Sequence, residues 1–511
     1  MGVDFGLPTL DPMTARSLMI AGTTSDAGKS VVTTGLCRLL ARRGVKVAPY
    51  KAQNMSNNSM VVTGPDGDGA EIGRAQWIQA VAAGAVPEPA MNPVLLKPGG
   101  DRRSHVVVMG RPSGVLDSSD YAHGRTELAE AAFDAYDDLA ARFDVVVAEG
   151  AGSPTEINLR GGDFVNMGLA RHASMPVVVV GDIDRGGVYA ALHGTVALLS
   201  PADQALVSGF VLNKFRGDES LLLPANEAIS RVTGRPVLGV VPWSPDVWLD
   251  SEDGMDLDGR RAHTLDPVRV AVIRLPRISN FTDVDALGIE PGVDVTFVSD
   301  PRRVAEADLV VLPGTRSTMA DLAWMRERGL DAAVAAHARA GRIVLGVCGG
   351  FQILGRVIAD PEGVEGVAGA TAGGLGLLDA ETTFGVDKVL RRSTGRALGA
   401  TATGYEIHHG RVTSGEDEDF LGGARRGSVL GTMWHGSLES DSLRTALLTE
   451  AAGAAGRRWE PSGARFAEAR SARLDLLANL LERHLDVGAL LELIEHGAPP
   501  ALPLVAPGGV G

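Results

Sequence analysis

The chain has 511 residues, 45% hydrophobic and 22% charged, so about 150 residues per domain predicts two to four domains. Its net charge of −15 argues against a general nucleic-acid or anionic-membrane binder, which needs a basic field. Two cysteines, Cys37 and Cys348, exclude a disulfide framework and a zinc cluster and fit a reducing compartment. The start of the chain has no basic stretch leading into a long apolar run, so no secretory signal is expected. Apolar runs such as 177–180 are too short to span a bilayer, and a cytoplasmic protein is expected. The 48 basic residues are 42 arginines and six lysines, at 29, 46, 51, 97, 214 and 388. Where Arg serves as the generic cation, a Lys marks a place that wants a compact ammonium.

In chain order, residues 17–21 predict a strand, followed by a Gly-rich turn and a helix over 30–43. Further strands are expected at 45–49, 144–148, 176–180, 205–212 and 237–241. Continuous apolar strands separated by helices predict a parallel sheet covered on both faces. Residues 244–267 are acidic and turn-rich and predict a linker. A second α/β series follows, with strands at 268–273, 294–298, 309–312 and 343–347 and helix over 317–340. Residues 461–497 have helical spacing, and the last fourteen residues, rich in Pro, Gly and Ala, are expected to be flexible. The expected architecture is α/β with two domains: 1–250, a linker at 251–267, 268–445, and a helical extension with a flexible tail at 446–511.

The turn Gly22-Thr-Thr-Ser-Asp-Ala-Gly28-Lys29-Ser30 lies between a strand and a helix. Backbone amides there can surround phosphate oxygens, so Thr23, Ser25, Gly28, Lys29 and Ser30 are candidate nucleotide contacts. Lys29 suits the β/γ-phosphates and Ser30 suits Mg2+. Five residues rather than four separate the first Gly from Gly-Lys-Ser. Glu149, after the strand at 144–148, is the candidate Mg2+ carboxylate. Asp182, Asp184 and Arg185 end the next strand, and Lys51, Gln53 and Asn54 open a polar run after the second. Both sets suit a substrate surface. Asn213-Lys214 closes a fourth strand, where such pairs often meet a nucleotide base. Cys37, among leucines, is a packing residue.

In the second half, Gly346-Val-Cys348-Gly349-Gly350 joins an apolar strand to a helix. This is a nucleophile elbow with Cys in place of Ser, and the helix start favours the thiolate. A thiolate nucleophile needs a base and an oxyanion hole. Gly349 offers one amide, and the turn containing Gly314 offers a second. Among the histidines, placement at a strand end beside Gly favours His435 as base. His408 and His409 face opposite ways on a strand, so at most one can enter a given pocket.

These motifs, together with YKAQNMSNNS, EGAGSPTEINL, GDIDRGGV, LNKFRGD, LPGTRST, GYEIHHGR and WHGS, resemble the cobyric acid synthase family over nearly the whole chain. The first half is similar to dethiobiotin synthetase, which shares the longer loop spacing, and the second to class I glutamine amidotransferase domains. The resemblance implies that Cys348 forms a glutamyl thioester with His435 as acid and base. It implies that ATP activates corrin carboxylates and that ammonia passes between the domains. The implied substrate is adenosylcobyrinic acid a,c-diamide, amidated at b, d, e and g, with glutamine, ATP and Mg2+ as further requirements. Neither nucleic acid nor membrane is an expected partner, and the oligomeric state stays open. Cobyrinic acid a,c-diamide synthase is a sister with the same architecture, but EGAGSPTEINL and GDIDRGG favour the first family. A partition-type ATPase switch with an inactive amidotransferase-like domain is disfavoured by the intact GVCGG and WHG elements. Most class I domains orient the His with a Glu two residues later. Here that position is Ser437, so a Cys–His dyad is expected, with a backbone carbonyl fixing the tautomer.

Overall fold

Runs of valine and isoleucine form the centre of each half. The computed structural model describes residues 16–98, 103–117, 125–244 and 266–509. Most of the expected linker, 251–265, therefore lies outside the described residues.

The first half is built on β1 (Arg16–Gly22), β2 (Val47–Tyr50), β3 (Val145–Glu149), β4 (Val177–Asp182), β5 (Val207–Phe215) and β6 (Val237–Pro242). They form one parallel sheet in the order β6-β5-β4-β1-β3-β2. The four valines at 177–180 are fully buried, as helices on both faces require. The strand order reverses around β1, where α/β sheets open a binding crevice. Helix α1 (Lys29–Arg42) starts there, and Cys37 on it is fully buried. Burial, aided by the Glu149 charge, pushes its thiol far up, so it is inert packing.

The second half repeats the plan with β7 (Val268–Ile273), β8 (Val293–Val298), β9 (Leu309–Leu312) and β10 (Ile343–Val347). After them come β11 (Ala380–Ala397), β12 (Ala400–Ser414), β13 (Ala424–Arg426) and β14 (Val429–Thr432). The sheet order is β8-β7-β9-β10-β14-β13, parallel except at the β13 edge. The helix expected over 317–340 is two helices, Thr318–Glu327 and Leu330–Arg339, divided at Gly329 in the left-handed region. β11 and β12 form a long hairpin closed by Leu398 and Gly399, both at positive φ, as a two-residue turn demands.

Residues 53–117 hold short strands that the sequence reading missed. Met60 and Val61 of this insert pack with Tyr405 and Ile407 of β12, joining the halves. Beside them Arg74 reaches Glu439 at 2.7 Å and lies over Trp77, and Arg470 contacts both Glu439 and Trp77.

The C-terminal helices return to the first half. In α2 (Phe466–His484), Leu474, Leu477 and Leu481 join the same buried cluster as Leu36 and Leu40 of α1. Arg38 holds Asp475 by a fork of two 2.9 Å bonds. The tail was expected to be flexible, but it is seated. Val505 is buried and exchanges two 2.9 Å bonds with the Gln204 amide, and Arg235 donates to the Pro503 carbonyl. A buried glutamine needs such backbone partners, and the tail supplies them. Among the described residues, no helix is long and apolar enough to cross a membrane.

Leu481→Ala should lower the stability of the first half by about 2–5 kcal/mol, the usual cost of a buried Leu truncation. Leu504→Ala, at an exposed position, should change it by less than about 0.5 kcal/mol. Urea melts of the two variants check the docking, and equal midpoints would contradict it.

Candidate functional site: a phosphate loop and a thiol chamber

The loop between β1 and α1 is held from behind. Gly28 has φ +101°, and a Cβ there would lie 1.9 Å from the Asn213 side-chain nitrogen. Asn213 donates to Ala27 O at 2.9 Å, and Lys214 donates to Asp26 O at 2.8 Å and to Asp182 at 2.9 Å. Asn213 and Lys214, expected at a nucleotide base, therefore brace the loop. Thr23 donates its amide to Val180 O, and Ser25 is exposed at the rim. The Lys29 ammonium bonds the carbonyls of Thr24, Ser25 and Gly152 at 3.0–3.1 Å.

Glu149 is the hub of this site. It is fully buried, and one oxygen accepts from Ser30 Oγ at 2.8 Å and Lys51 Nζ at 3.0 Å. The other accepts from Gln79 at 2.5 Å. Ser30 and Glu149 present hard oxygen donors side by side, which is the donor chemistry Mg2+ takes. Asp184 and Arg185 are exposed, paired with Arg216 and Asp26. Gln53 and Asn54 point inward. Both are buried, and Asn54 donates to Gln76 at 2.9 Å. They line the interior rather than the expected substrate surface.

The second site is the elbow after β10. Cys348 has φ +50° and ψ −110°, a conformation that a non-glycine residue keeps only when its surroundings force it. It is 7% exposed, and its amide donates to Thr432 O at 2.8 Å. His435 faces it from the turn after β14, and the two side chains line one chamber. Gly314 clears space for the imidazole: a Cβ there would come within 2.9 Å of His435 Cε1. Gly314 pairs with Ser279 in a short antiparallel bridge, and the next amide, Thr315 N, lies beside Gly349.

His435 is not held by a carbonyl, as the sequence suggested. Its Nδ1 bonds Asp283 Oδ2 at 2.7 Å, and the other oxygen of Asp283 accepts Gly436 N–H at 2.7 Å. The arrangement is a Cys–His–Asp triad. Asp283 lies in a short 3-10 turn, Phe281–Val284, with the sequence FTDV. Nothing in spacing connects it to a histidine 152 residues later. Burial alone would push His435 down. Asp283 and the Cys348 sulfur outweigh it and hold the imidazole up at about 10. Glu439 is turned away to the arginines at the domain junction.

Asn57, Lys97, Arg316, Gln352, Glu365, Lys388, His408 and His409 line the chamber with Cys348 and His435. Both histidines enter, contrary to the expectation from strand alternation. The β11 residues between Phe384 and Val389 bulge opposite His409 and break the alternation. Burial, then the Lys388 and Arg316 charges, lower His409 to about 4, so it stays neutral. Lys97 and Lys388, unassigned from sequence, both pair with the buried carboxylate of Glu71.

Residues 18–257 match the CobQ/CobB/MinD/ParA nucleotide binding domain family. Residues 269–443 match the CobB/CobQ-like glutamine amidotransferase domain family. A cobyric acid synthase of Mycolicibacterium gilvum is 69% identical over 96% of this chain and 99% of its own. Those of Mycobacterium ulcerans and Mycobacterium tuberculosis are 67% and 66% identical, with the same coverage.

Asp283→Asn should narrow the pH range in which His435 stays an imidazolium paired with a carboxylate. A raised histidine pKa keeps the charged pair up to about pH 10, and losing the carboxylate moves that upper edge down. The glutaminase rate should fall by about 10²-fold or more, as when other triads lose their carboxylate. The alkaline limb of the pH–rate profile for glutamine hydrolysis reads the shift, and a profile identical to wild type would contradict the triad.

Proposed function

This chain belongs to the cobyric acid synthases, glutamine-hydrolysing amide ligases, and from that premise we propose that it amidates the b, d, e and g carboxylates of adenosylcobyrinic acid a,c-diamide to give adenosylcobyric acid. Each amidation consumes one glutamine and one ATP.

In the thiol chamber, the Cys348 thiolate attacks the glutamine carboxamide carbon, and Gly349 N–H with an amide of the Gly314–Thr315 turn receives the oxyanion. His435 gives its proton to the departing nitrogen, and ammonia leaves a glutamyl thioester. His435 then takes a proton from water, which attacks the thioester, releases glutamate and restores the thiolate. Asp283 holds Nδ1–H through both steps, so Nε2 is the atom that moves protons.

In the other half, a corrin carboxylate attacks the γ-phosphate of ATP and ADP leaves. Ammonia then displaces phosphate from the acyl phosphate. Lys29 would neutralise the transferring phosphoryl group, and Ser30 with Glu149 would hold Mg2+, which supplies charge stabilisation there. Thr23, Ser25 and Gly28 frame the phosphates. Arg185, Asp182 and Asp184 stand at the sheet edge where the corrin carboxylate would arrive. Lys51, just after the second strand, is bonded to Glu149 beside the proposed metal position.

The observation that carries the coupling is the chamber wall. Asn57 and Lys97 come from the nucleotide half, so ammonia released at Cys348 meets the other half at once. A chain of polar contacts continues inward. Arg74 N donates to Asn58 O, and next to it Gly73 N donates to Asn92 Oδ1 at 2.9 Å, at a point where an added Cβ would meet the amides of Asn54 and Gln76. Asn92 donates to Lys51 O, and Lys51 reaches Glu149.

Cys348→Ala should abolish glutamine use while ammonium salts still support ATP-dependent amidation. Loss of both activities in a folded variant would overturn the two-site reading. Lys29→Ala should abolish amidation yet leave Cys348 open to labelling by a glutamine analogue. Mass spectrometry of the corrinoid product should find four added amides; two would indicate the a,c-diamide synthase reaction instead. Gly73→Val puts side-chain atoms where a Cβ already comes within 2.7 Å of two amides. Glutamate formed per amide formed should rise above one in this variant, and a ratio of one would show that ammonia does not pass there.

A further inference from the structure

Glutamine brings three polar groups into the chamber: the carboxamide that reacts, and an α-carboxylate and α-ammonium that do not. Each loses water on entry and needs a partner of opposite charge. This inference rests on the reading of Cys348 as a glutaminase nucleophile and asks which residues meet the amino-acid head.

Beyond the Cys348–His435 pair, four charged side chains line the chamber: Lys97, Arg316, Glu365 and Lys388. Both lysines are committed to Glu71. Glu365 accepts from the backbone and hydroxyl of Thr318 at 2.9 and 2.7 Å, and from Met319 N at 3.3 Å. Arg316 differs. Its amide bonds Arg277 O, but its Nε is buried with no hydrogen-bond partner. A guanidinium is always charged and carries five donors in a planar fork that matches a carboxylate. Leaving such a donor buried and unmet is costly, more so when the group is charged. It also stands at the right place along the chain. Arg316 directly follows Thr315, whose amide lies beside Gly349, so it borders the point where the carboxamide reacts.

We propose that Arg316 is the anion subsite of the chamber and binds the α-carboxylate of glutamine, with the α-ammonium turned toward Glu365. Glu365 is the one carboxylate among the lining residues, and each carboxylate oxygen can accept more than one bond. The electrostatics agree. Burial pushes the Arg316 guanidinium down and the Glu365 carboxyl up, and the charge of each only partly offsets that burial for the other. The assignment makes the chamber selective for a free amino acid over the side-chain amide of a peptide or a plain amide.

Two amides separate the groups. 4-Aminobutanamide lacks the α-carboxylate, and glutaramate lacks the α-amine. Wild type should prefer glutamine to 4-aminobutanamide in kcat/KM by about 10³-fold or more, because the analogue leaves Arg316 unmet. Arg316→Gln should shrink that preference by about 10²-fold, mainly through the glutamine KM, and leave the preference over glutaramate unchanged. Arg316→Lys keeps charge but not the fork and should fall between. An unchanged thermal unfolding profile certifies the fold of Arg316→Gln, and Arg316→Lys replaces it if that variant does not fold. If Arg316 serves only the thiolate, both substrates slow equally and the preference stays, which overturns the assignment. A wild-type chain that releases no glutamate from glutamine overturns the reading of the chamber instead.

Discussion

One buried carboxylate ties the two halves together. Glu71 is fully buried, and it is met by Lys97 from its own half and by Lys388 from β11 of the other. The two ammonium charges outweigh the burial penalty and hold the carboxyl well below the usual range, so it stays charged. A buried ion trio adds little net stability against a hydrophobic alternative, but losing one partner strands a charge and is costly. It therefore works as a register pin: the halves gain its energy in one relative position. In that position Lys97 becomes part of the chamber wall around Cys348. Everything about the coupling of the two chemistries depends on this closure.

Much of this was legible in residues whose chemistry demands a local pattern. A phosphate loop needs its glycine and lysine adjacent in sequence, and a thiol elbow needs small residues beside the cysteine. Both motifs sit where strand and helix periodicity predicted. The lysine count was also informative. Lys29 and Lys51 stand at the phosphate site, Lys214 braces its loop, and Lys97 and Lys388 form the junction. Lys46, stacked over Phe143, remains a surface residue.

The rest was not legible, because it arises from contacts between residues far apart in sequence. Asp283 reaches His435 from a turn with no distinguishing motif; only the fold brings them to 2.7 Å. What sets Asp283 apart is its burial, and burial cannot be read from FTDV. The strand bulge that admits both His408 and His409 is likewise a product of pairing, since alternation is all a lone strand offers. The polar run from Lys51 gives no strand signal because its amides are satisfied by contacts distant in sequence, as Asn54 with Gln76 and Ser59 N with Asn280 of the second half. The tail reads as disordered from its Pro and Gly content, yet Gln204 and Arg235 need its carbonyls.

The molecule thus holds a buried Cys–His–Asp arrangement in one half and a carboxylate-centred Gly-rich loop in the other. The central claim is that nitrogen passes between them without entering solvent. Turnover of glutamine labelled with 15N in its amide, in a large excess of unlabelled ammonium, tests that claim most directly. The account predicts that the corrinoid amides carry the label of glutamine. Product nitrogen that matches the bulk ammonium would contradict it.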